Sequence, residues 1–269
     1  MDRSATAFVG DIPQQYDQRM GPMIFADYAA EMAKRAAAHC PARVLETAAG
    51  TGIVTRQLRN ALSAGAQLTA TDLNPPMLDI ARAKFRSGEP VEFQAVDAMA
   101  LPFADRSFDA VVCQFGVMFY PDKDRSYREA YRVLAPGGRY LFSVWDSHHY
   151  NPFGRIVQEV VEGFFPVDPP QFMNVPFSYA FDAIKASAIE AGFADLDAAV
   201  IALKKQVPDA ASFARGLVYG TPVIDQVQAR GGEPERIVAA LVQRFHREFG
   251  ADPGRMPLQA IFFSAKRPS

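Results

Sequence analysis

The feature that most narrows the possible folds is a turn. The apolar run Arg43–Thr47 breaks off at Ala48-Ala49-Gly50-Thr51-Gly52 and passes straight into the helical pattern Ile53–Leu62. Glycines at such a junction let a helix begin close against its strand and let a ligand approach the backbone. The same succession then repeats. Gln67–Thr71 reads as a second strand, followed by a helix with Asn74 as its cap and Pro75 at its first position. Val91–Ala95 reads as a third strand and Phe108–Phe115 as a fourth, the latter a dense apolar run suited to burial on both faces. A helix over Lys123–Leu134 is expected to stop at Pro136-Gly137-Gly138, with Arg139–Trp145 as the fifth strand. Alternation of this kind predicts βαβ units and a parallel sheet.

The flanks are less regular. Gly21-Pro22 is expected to introduce a helix in which Ile24, Tyr28, Met32 and Ala36 recur every four residues, ended by Pro41. Asn151–Tyr179, rich in Phe and Pro, reads as an insertion of helix and loop. Phe181–Ala191 is a helical pattern closed by Gly192, and Asp195–Leu203 alternates as a strand. Helices follow over Ser212–Gln228 and Pro234–Phe249, and Pro257–Lys266 is the last strand. Strands on both sides of the insertion favour one continuous sheet with a cap. The expected organisation is a single domain over residues 1–269, with an N-terminal lid (8–39), a cofactor-binding core (about 40–146) and a cap insertion (about 150–180). Helices on the substrate side and the last strand would occupy 181–269.

Composition removes several alternatives. The 269 residues are 49% hydrophobic and 22% charged, with a formal net charge of −2, so there is no basic footprint for nucleic acid. Cys40 and Cys113 are too few for a disulfide framework or a structural zinc site, and the four His form no spaced set with carboxylates, so no metal is expected. No run approaches the roughly 20 apolar residues of a membrane span, and no signal peptide is legible. A cytoplasmic protein is expected.

The second strand ends at Asp72, 20 positions beyond Gly52 (72 − 52). At this interval an acidic side chain meets a ribose diol, whose adjacent hydroxyls donate to the two carboxylate oxygens. The dinucleotide fingerprint would fall on Ala48, Gly50 and Ile53, and its first and third glycines are missing. Glu46, at the end of the first strand, would repel a pyrophosphate but suits a ligand bearing an ammonium group. These residues favour S-adenosylmethionine over a nicotinamide cofactor.

Four blocks together resemble the class I S-adenosylmethionine-dependent methyltransferases, in particular the type-11 group related to the ubiquinone/menaquinone methyltransferases. Val44-Leu45-Glu46-Thr47-Ala48-Ala49-Gly50-Thr51-Gly52 is similar to motif I, with Ala48 in place of the usual first glycine. Ala70-Thr71-Asp72-Leu73-Asn74 with Met77 resembles motif II. Val96-Asp97-Ala98 and the trailing Leu101–Asp109 resemble motif III. Gln114-Phe115-Gly116 and Tyr131–Gly138 resemble motif IV and the helix and turn after it. The resemblance implies a three-layer, Rossmann-like, mostly parallel seven-stranded sheet with the last strand antiparallel. It also implies a cofactor site formed by Glu46, Thr47, Ala48, Gly50, Thr51, Gly52, Asp72, Leu73, Met77, Asp97, Ala98, Gln114 and Phe115. In it, Asp72 would take the ribose hydroxyls, Leu73 would lie against adenine, and Asp97 would accept from the adenine amino group. Tyr16 resembles part of an N-terminal segment that folds over the cofactor, where it would contact the methionyl end or simply pin a loop.

Methyl transfer is an in-line displacement at an activated carbon, so the protein mainly positions the reactants and excludes water, leaving S-adenosylhomocysteine as product. A base is needed only for an oxygen or carbon nucleophile that is protonated at neutral pH. His148 and His149, just past the fifth strand, are the candidates, with Asp146 beside them. Phe119, Tyr120, Tyr150, Phe153 and Phe177 fall in the loop after motif IV or at the insertion and are candidate contacts for a small, apolar or aromatic acceptor, methylated on O, N or C. The competing readings are a non-catalytic sensor that binds S-adenosylmethionine or S-adenosylhomocysteine, and a nicotinamide-dependent oxidoreductase.

Overall fold

The alternating patterns resolve, in a computed structural model that describes residues 7–269, into one seven-stranded sheet among the described residues. The chain opens with α1 (Ile12–Gln15), a π-helical stretch (Tyr16–Phe25) and α2 (Ala26–Ala37). There follow β1 (Arg43–Glu46), α3 (Ile53–Ala61), β2 (Gln67–Asp72), α4 (Pro75–Arg82), β3 (Val91–Ala95) and β4 (Phe108–Gln114). A 3-10 turn (Val117–Phe119) leads to α5 (Lys123–Val133) and β5 (Leu134–Trp145). Then come α6 (Pro152–Phe164), a 3-10 segment (Phe172–Phe177), α7 (Phe181–Glu190) and β6 (Ala194–Val207). The chain closes with α8 (Ala210–Tyr219), α9 (Val223–Ala229), α10 (Pro234–Phe249) and β7 (Gly254–Lys266).

The strand order is β3-β2-β1-β4-β5-β7-β6. β1 is parallel to both β2 and β4, β2 to β3, and β4 to β5. The Gly137 N–H donates to the Arg267 carbonyl at 3.0 Å and the Arg267 N–H to the Gly138 carbonyl at 2.9 Å, a reciprocal pair that makes β7 antiparallel to β5. The expected α/β fold is therefore the observed one. Its order reverses between β1 and β4, and in open α/β sheets ligands bind beyond the carboxyl ends of the strands at such a reversal.

The chain separates into two compact units: residues up to Phe25 with Trp145–Ser178 and Ile201–Ala260, and Ala26–Val144 with Tyr179–Val200 and Ile261–Ser269. In the second, Val44, Leu45, Val111, Val112 and Cys113 on the central strands are fully buried, as a sheet covered on both faces requires. Tyr127, Tyr140 and Phe142 meet edge-on or tilted at 4.7–5.8 Å between centroids and continue to Phe263 at 4.9 Å. The first unit has its own aromatic core. Trp145 packs against Phe25 at 6.2 Å and Phe153 at 5.6 Å, and Phe153 leads through Phe213 to Phe245.

Three local expectations need correction. Gly21-Pro22 does not begin a helix; the π-helical stretch runs through it. Its wider turn accommodates a proline ring that would strike the carbonyl four residues earlier in an α-helix. Pro136-Gly137-Gly138 does not stand outside the fifth strand but within it. The pairing with β4 jumps from Phe108↔Leu134 to Ala110↔Arg139, so the extra residues are accommodated as an irregularity in the ladder. Asn74 is at the cap of α4 but makes no side-chain capping bond. Its Nδ2 donates instead to Asp72 Oδ1 at 3.3 Å.

Candidate functional site

The turn after β1 is stitched to both neighbouring strands. The Thr47 N–H donates to the Val112 carbonyl and the Ala49 N–H to the Thr71 carbonyl, each at 2.9 Å. Gly50 N–H donates to Asp72 Oδ2 at 2.8 Å, while Asp72 Oδ1 accepts from the Asn74 N–H at 2.8 Å. Asp72 thus braces the Gly-rich turn with one oxygen and the loop after β2 with the other. Gly52 begins α3 in a left-handed conformation (φ 78°). A Cβ there would lie 2.7 Å from Ala81 Cβ and 3.0 Å from Ala81 Cα, so glycine is what lets α3 start against α4.

Ala48 is also left-handed, at φ 52°, with its Cβ in place. This conformation costs a non-glycine residue about 1–2 kcal/mol, against the roughly 0.5–1 kcal/mol by which glycine loosens the unfolded chain. Ala48→Gly should therefore raise stability by about 0.5–1 kcal/mol in urea denaturation. A loss of more than about 1 kcal/mol on the same scale would contradict a strained Ala48.

Two carboxyls meet beneath this turn. Glu46 is 1% exposed, and its Oε2 has no hydrogen-bond partner. Burial pushes its pKa up to about 8, with the Thr55 hydroxyl opposing the rise and the Asp72 charge adding to it. Asp72, 6% exposed, is also raised by burial, and the N–H groups of Asn74 and Gly50 oppose that rise. A buried acid with an unpartnered oxygen is a group prepared for a cation or a donor.

The other candidates of the second unit gather at the ends of β2, β3 and β4. Leu73, next to Asp72, is 54% exposed, an apolar side chain offered to whatever lies outside the strand end. Met77 is buried, with Cε 3.5 Å from the position of a Cβ on Gly50. Asp97 Oδ1 accepts from the Met99 N–H at 2.8 Å, which fixes the loop after β3, and Ala98 is half-buried beside it. Thr51 is buried in the turn. Gln114 closes β4, and Phe115 follows in a left-handed conformation (φ 53°) with its ring edge-on to Tyr28 at 5.6 Å. Non-glycine residues held at such angles cluster at ligand sites, and Ala48 and Phe115 are both at strand ends.

Tyr120 is turned to the Gly-rich turn. Its hydroxyl is 3.4 Å from both Thr47 Oγ1 and Cys113 Sγ, and burial raises its pKa well above the usual tyrosine value. Phe119, its neighbour, is half-buried in the 3-10 turn. Sequence reasoning missed the role of Gly116: a Cβ there would be 2.5 Å from Ala48 Cβ and 2.7 Å from Cys113 Sγ. The Ala at the first turn position and the Gly after β4 are thus a matched pair.

The remaining candidates belong to the first unit. Tyr16 stacks on Phe25 at 4.9 Å and meets Phe8 edge-on at 5.9 Å. His148 and His149 lie in a turn, in which the Tyr150 N–H donates to the Ser147 carbonyl at 3.0 Å. His148 packs on Phe177 at 4.3 Å, and its Nε2 is 3.3 Å from the Met173 carbonyl. A carbonyl only accepts, so Nε2 carries the proton and Nδ1 keeps the lone pair. Burial lowers the His148 pKa below its ordinary value, so the ring is neutral at pH 7. His149 packs edge-on to the exposed Tyr150, and Phe153 is buried in the aromatic core.

Asn151, the first residue of the insertion, stands at the N-cap position of α6. It makes no side-chain cap; fully buried, its Nδ2 donates to the carbonyls of Asp146 (2.8 Å) and Gln259 (2.9 Å), and its Oδ1 accepts from the Gln259 N–H (2.9 Å). Gln259 Nε2 also donates to Asp146 Oδ2 at 2.7 Å, so the histidine turn is anchored at both ends. Among the described residues no cluster of three metal-binding side chains occurs, and no helix is long and apolar enough to cross a membrane.

Comparison with known proteins bears on these motifs directly. A methyltransferase-domain family model matches residues 45–142. The chain is 39% identical over 127 residues to the demethylmenaquinone methyltransferase of Thermus thermophilus, a match covering 47% of this chain and 57% of that one. The chain therefore spans little more than half the length of that relative. It is 30% identical over 183 residues to the ubiquinone/menaquinone biosynthesis C-methyltransferase UbiE of Pasteurella multocida, covering 61% and 68% of the two chains. The solved Haemonchus contortus phosphoethanolamine N-methyltransferase 2, in complex with S-adenosyl-L-methionine, shares the fold. The TM-score is 0.62 at 20% identity, over 96% of this chain and 57% of that one.

Proposed function

The chain belongs to the type-11 group of class I methyltransferases, and on that premise we propose that it transfers a methyl group from S-adenosylmethionine to a small aromatic acceptor. The observation that carries this reading is the buried, partly unpartnered Glu46 beside Asp72 in the Gly-rich turn. The donor set fits the cofactor. Glu46 would face the ammonium of its methionyl end, Asp72 the ribose hydroxyls, exposed Leu73 the adenine face, and Asp97 the adenine amino group. When bound, S-adenosylmethionine supplies a methyl group activated on a sulfonium, and the residues of this chain hold it and keep water away.

The names of the relatives favour a quinone-type ring methylated on carbon. Such a carbon becomes nucleophilic when a neighbouring ring hydroxyl loses its proton, and His148 is the group we assign to take it, through Nδ1. Because burial holds its pKa low, His148 is a base at pH 7, and turnover should fall as pH drops through that lowered value. His148→Gln should reduce kcat by about 10²–10⁴-fold and remove the acidic limb of the profile. An unchanged profile would assign the proton elsewhere.

Transfer of labelled methyl to a panel of reduced quinones, phenols and amines, with calorimetry against S-adenosylmethionine and NAD, tests the whole reading. A labelled methyl group bonded to an aromatic ring carbon is expected. Binding with no transfer to any acceptor would favour a sensor, and preference for NAD would overturn the cofactor.

A further inference from the structure

The protein buries an acid that, among the described residues, has no counter-charge beside it. Glu46 is 1% exposed and Oε2 is unpartnered. β2 contributes Asp72, a like charge. α3 presents the Thr55 hydroxyl, while its two guanidinium groups are engaged elsewhere: Arg56 pairs with Glu89 at 2.6 Å, and Arg59 donates to the Ala66 carbonyl at 2.7 Å. On β4 the residue opposite Glu46 is Val112, and the nearby Cys113 thiol and Tyr120 phenol are kept neutral by burial. A lone buried carboxylate beside a second acid takes up a proton rather than stay charged.

We propose that the cofactor enters this site by exchange, its ammonium group replacing the proton of Glu46. The Glu46 O–H bond breaks, the proton leaves to the buffer, and the carboxylate so formed pairs with an ammonium group that arrives already protonated. The inference rests on the cofactor reading above and adds to it a proton that binding must displace. The direction is fixed by the folded free protein, in which Glu46 is raised toward 8 and hence mostly protonated at pH 7. A cation alongside lowers it. Binding should therefore strengthen as pH rises from 6 to 7.5, by about tenfold per pH unit.

Calorimetric titration of the intact protein with S-adenosylhomocysteine, in two pH 7 buffers of different ionisation enthalpy, counts the protons released. Close to one per ligand is expected for the wild type and none for Glu46→Gln, which should bind more weakly and lose the pH slope. Asp72→Asn serves as the second variant and should still release its proton. Ligand binding without proton release, or release that persists in Glu46→Gln and disappears in Asp72→Asn, would overturn the exchange and leave the cofactor site standing. Absence of S-adenosylhomocysteine binding at every pH would overturn both.

Discussion

Gly52→Ala should unfold or nearly unfold the Gly-rich turn, with a stability loss of about 2–5 kcal/mol in chemical denaturation and no measurable cofactor binding. Two independent causes add. The left-handed conformation at φ 78° costs any side chain about 1–2 kcal/mol. Overpacking adds roughly 1–3 kcal/mol, because the nearest atoms to the new methyl are Ala81 Cβ at 2.7 Å and Ala81 Cα at 3.0 Å. The backbone of α4 cannot step aside as a flexible side chain would, so α3 must tilt away from it. Equal stability and affinity in the variant would mean that α3 and α4 do not meet here.

Asp72→Ala should be nearly as severe, and for a different reason. The carboxylate accepts from the backbone of Gly50 and Asn74, both at 2.8 Å. Its removal leaves those N–H groups without their acceptor, at about 1–3 kcal/mol each where they are buried. Cofactor affinity should fall at least tenfold through loss of the ribose contact and of the brace. Asp72→Asn separates the two. One amide oxygen can still accept from one N–H, so stability should be partly restored while affinity remains low. If alanine and asparagine variants bind equally well, Asp72 is only a brace. Thermal unfolding with and without S-adenosylhomocysteine reads both quantities in one series.

Much of the fold was legible because its signals are local. The turn at Ala48–Gly52, the acid at Asp72 and the buried run of β4 each follow from spacing and residue type, and each is where the sequence predicts. What could not be read depends on contacts remote in sequence. Asn151 is indistinguishable from a helix cap until Gln259 is brought opposite it. Tyr120 is a candidate acceptor contact from its place after β4, but that its hydroxyl also lies 3.4 Å from Thr47 Oγ1 has no local signal. Pro136-Gly137-Gly138 reads as a break because nothing local records the bonds that Gly137 and Gly138 exchange with Arg267. The π-helical stretch escaped because its width answers to a proline ring, not to any apolar period. The electrostatics of the candidate site fall between these cases. Glu46 was visible as an acid in the turn, but its burial, and so its proton, was not.

The arrangement around Cys113 has a practical consequence. The chain has two thiols: Cys40, exposed after α2, and Cys113, sealed beneath Gly116 and the Tyr120 hydroxyl. A thiol reagent meets the first at once and the second only when the Gly-rich turn parts from the end of β4. One molecule therefore contains both the reference and the reporter for a labelling clock, which times the breathing of the candidate site without any introduced probe.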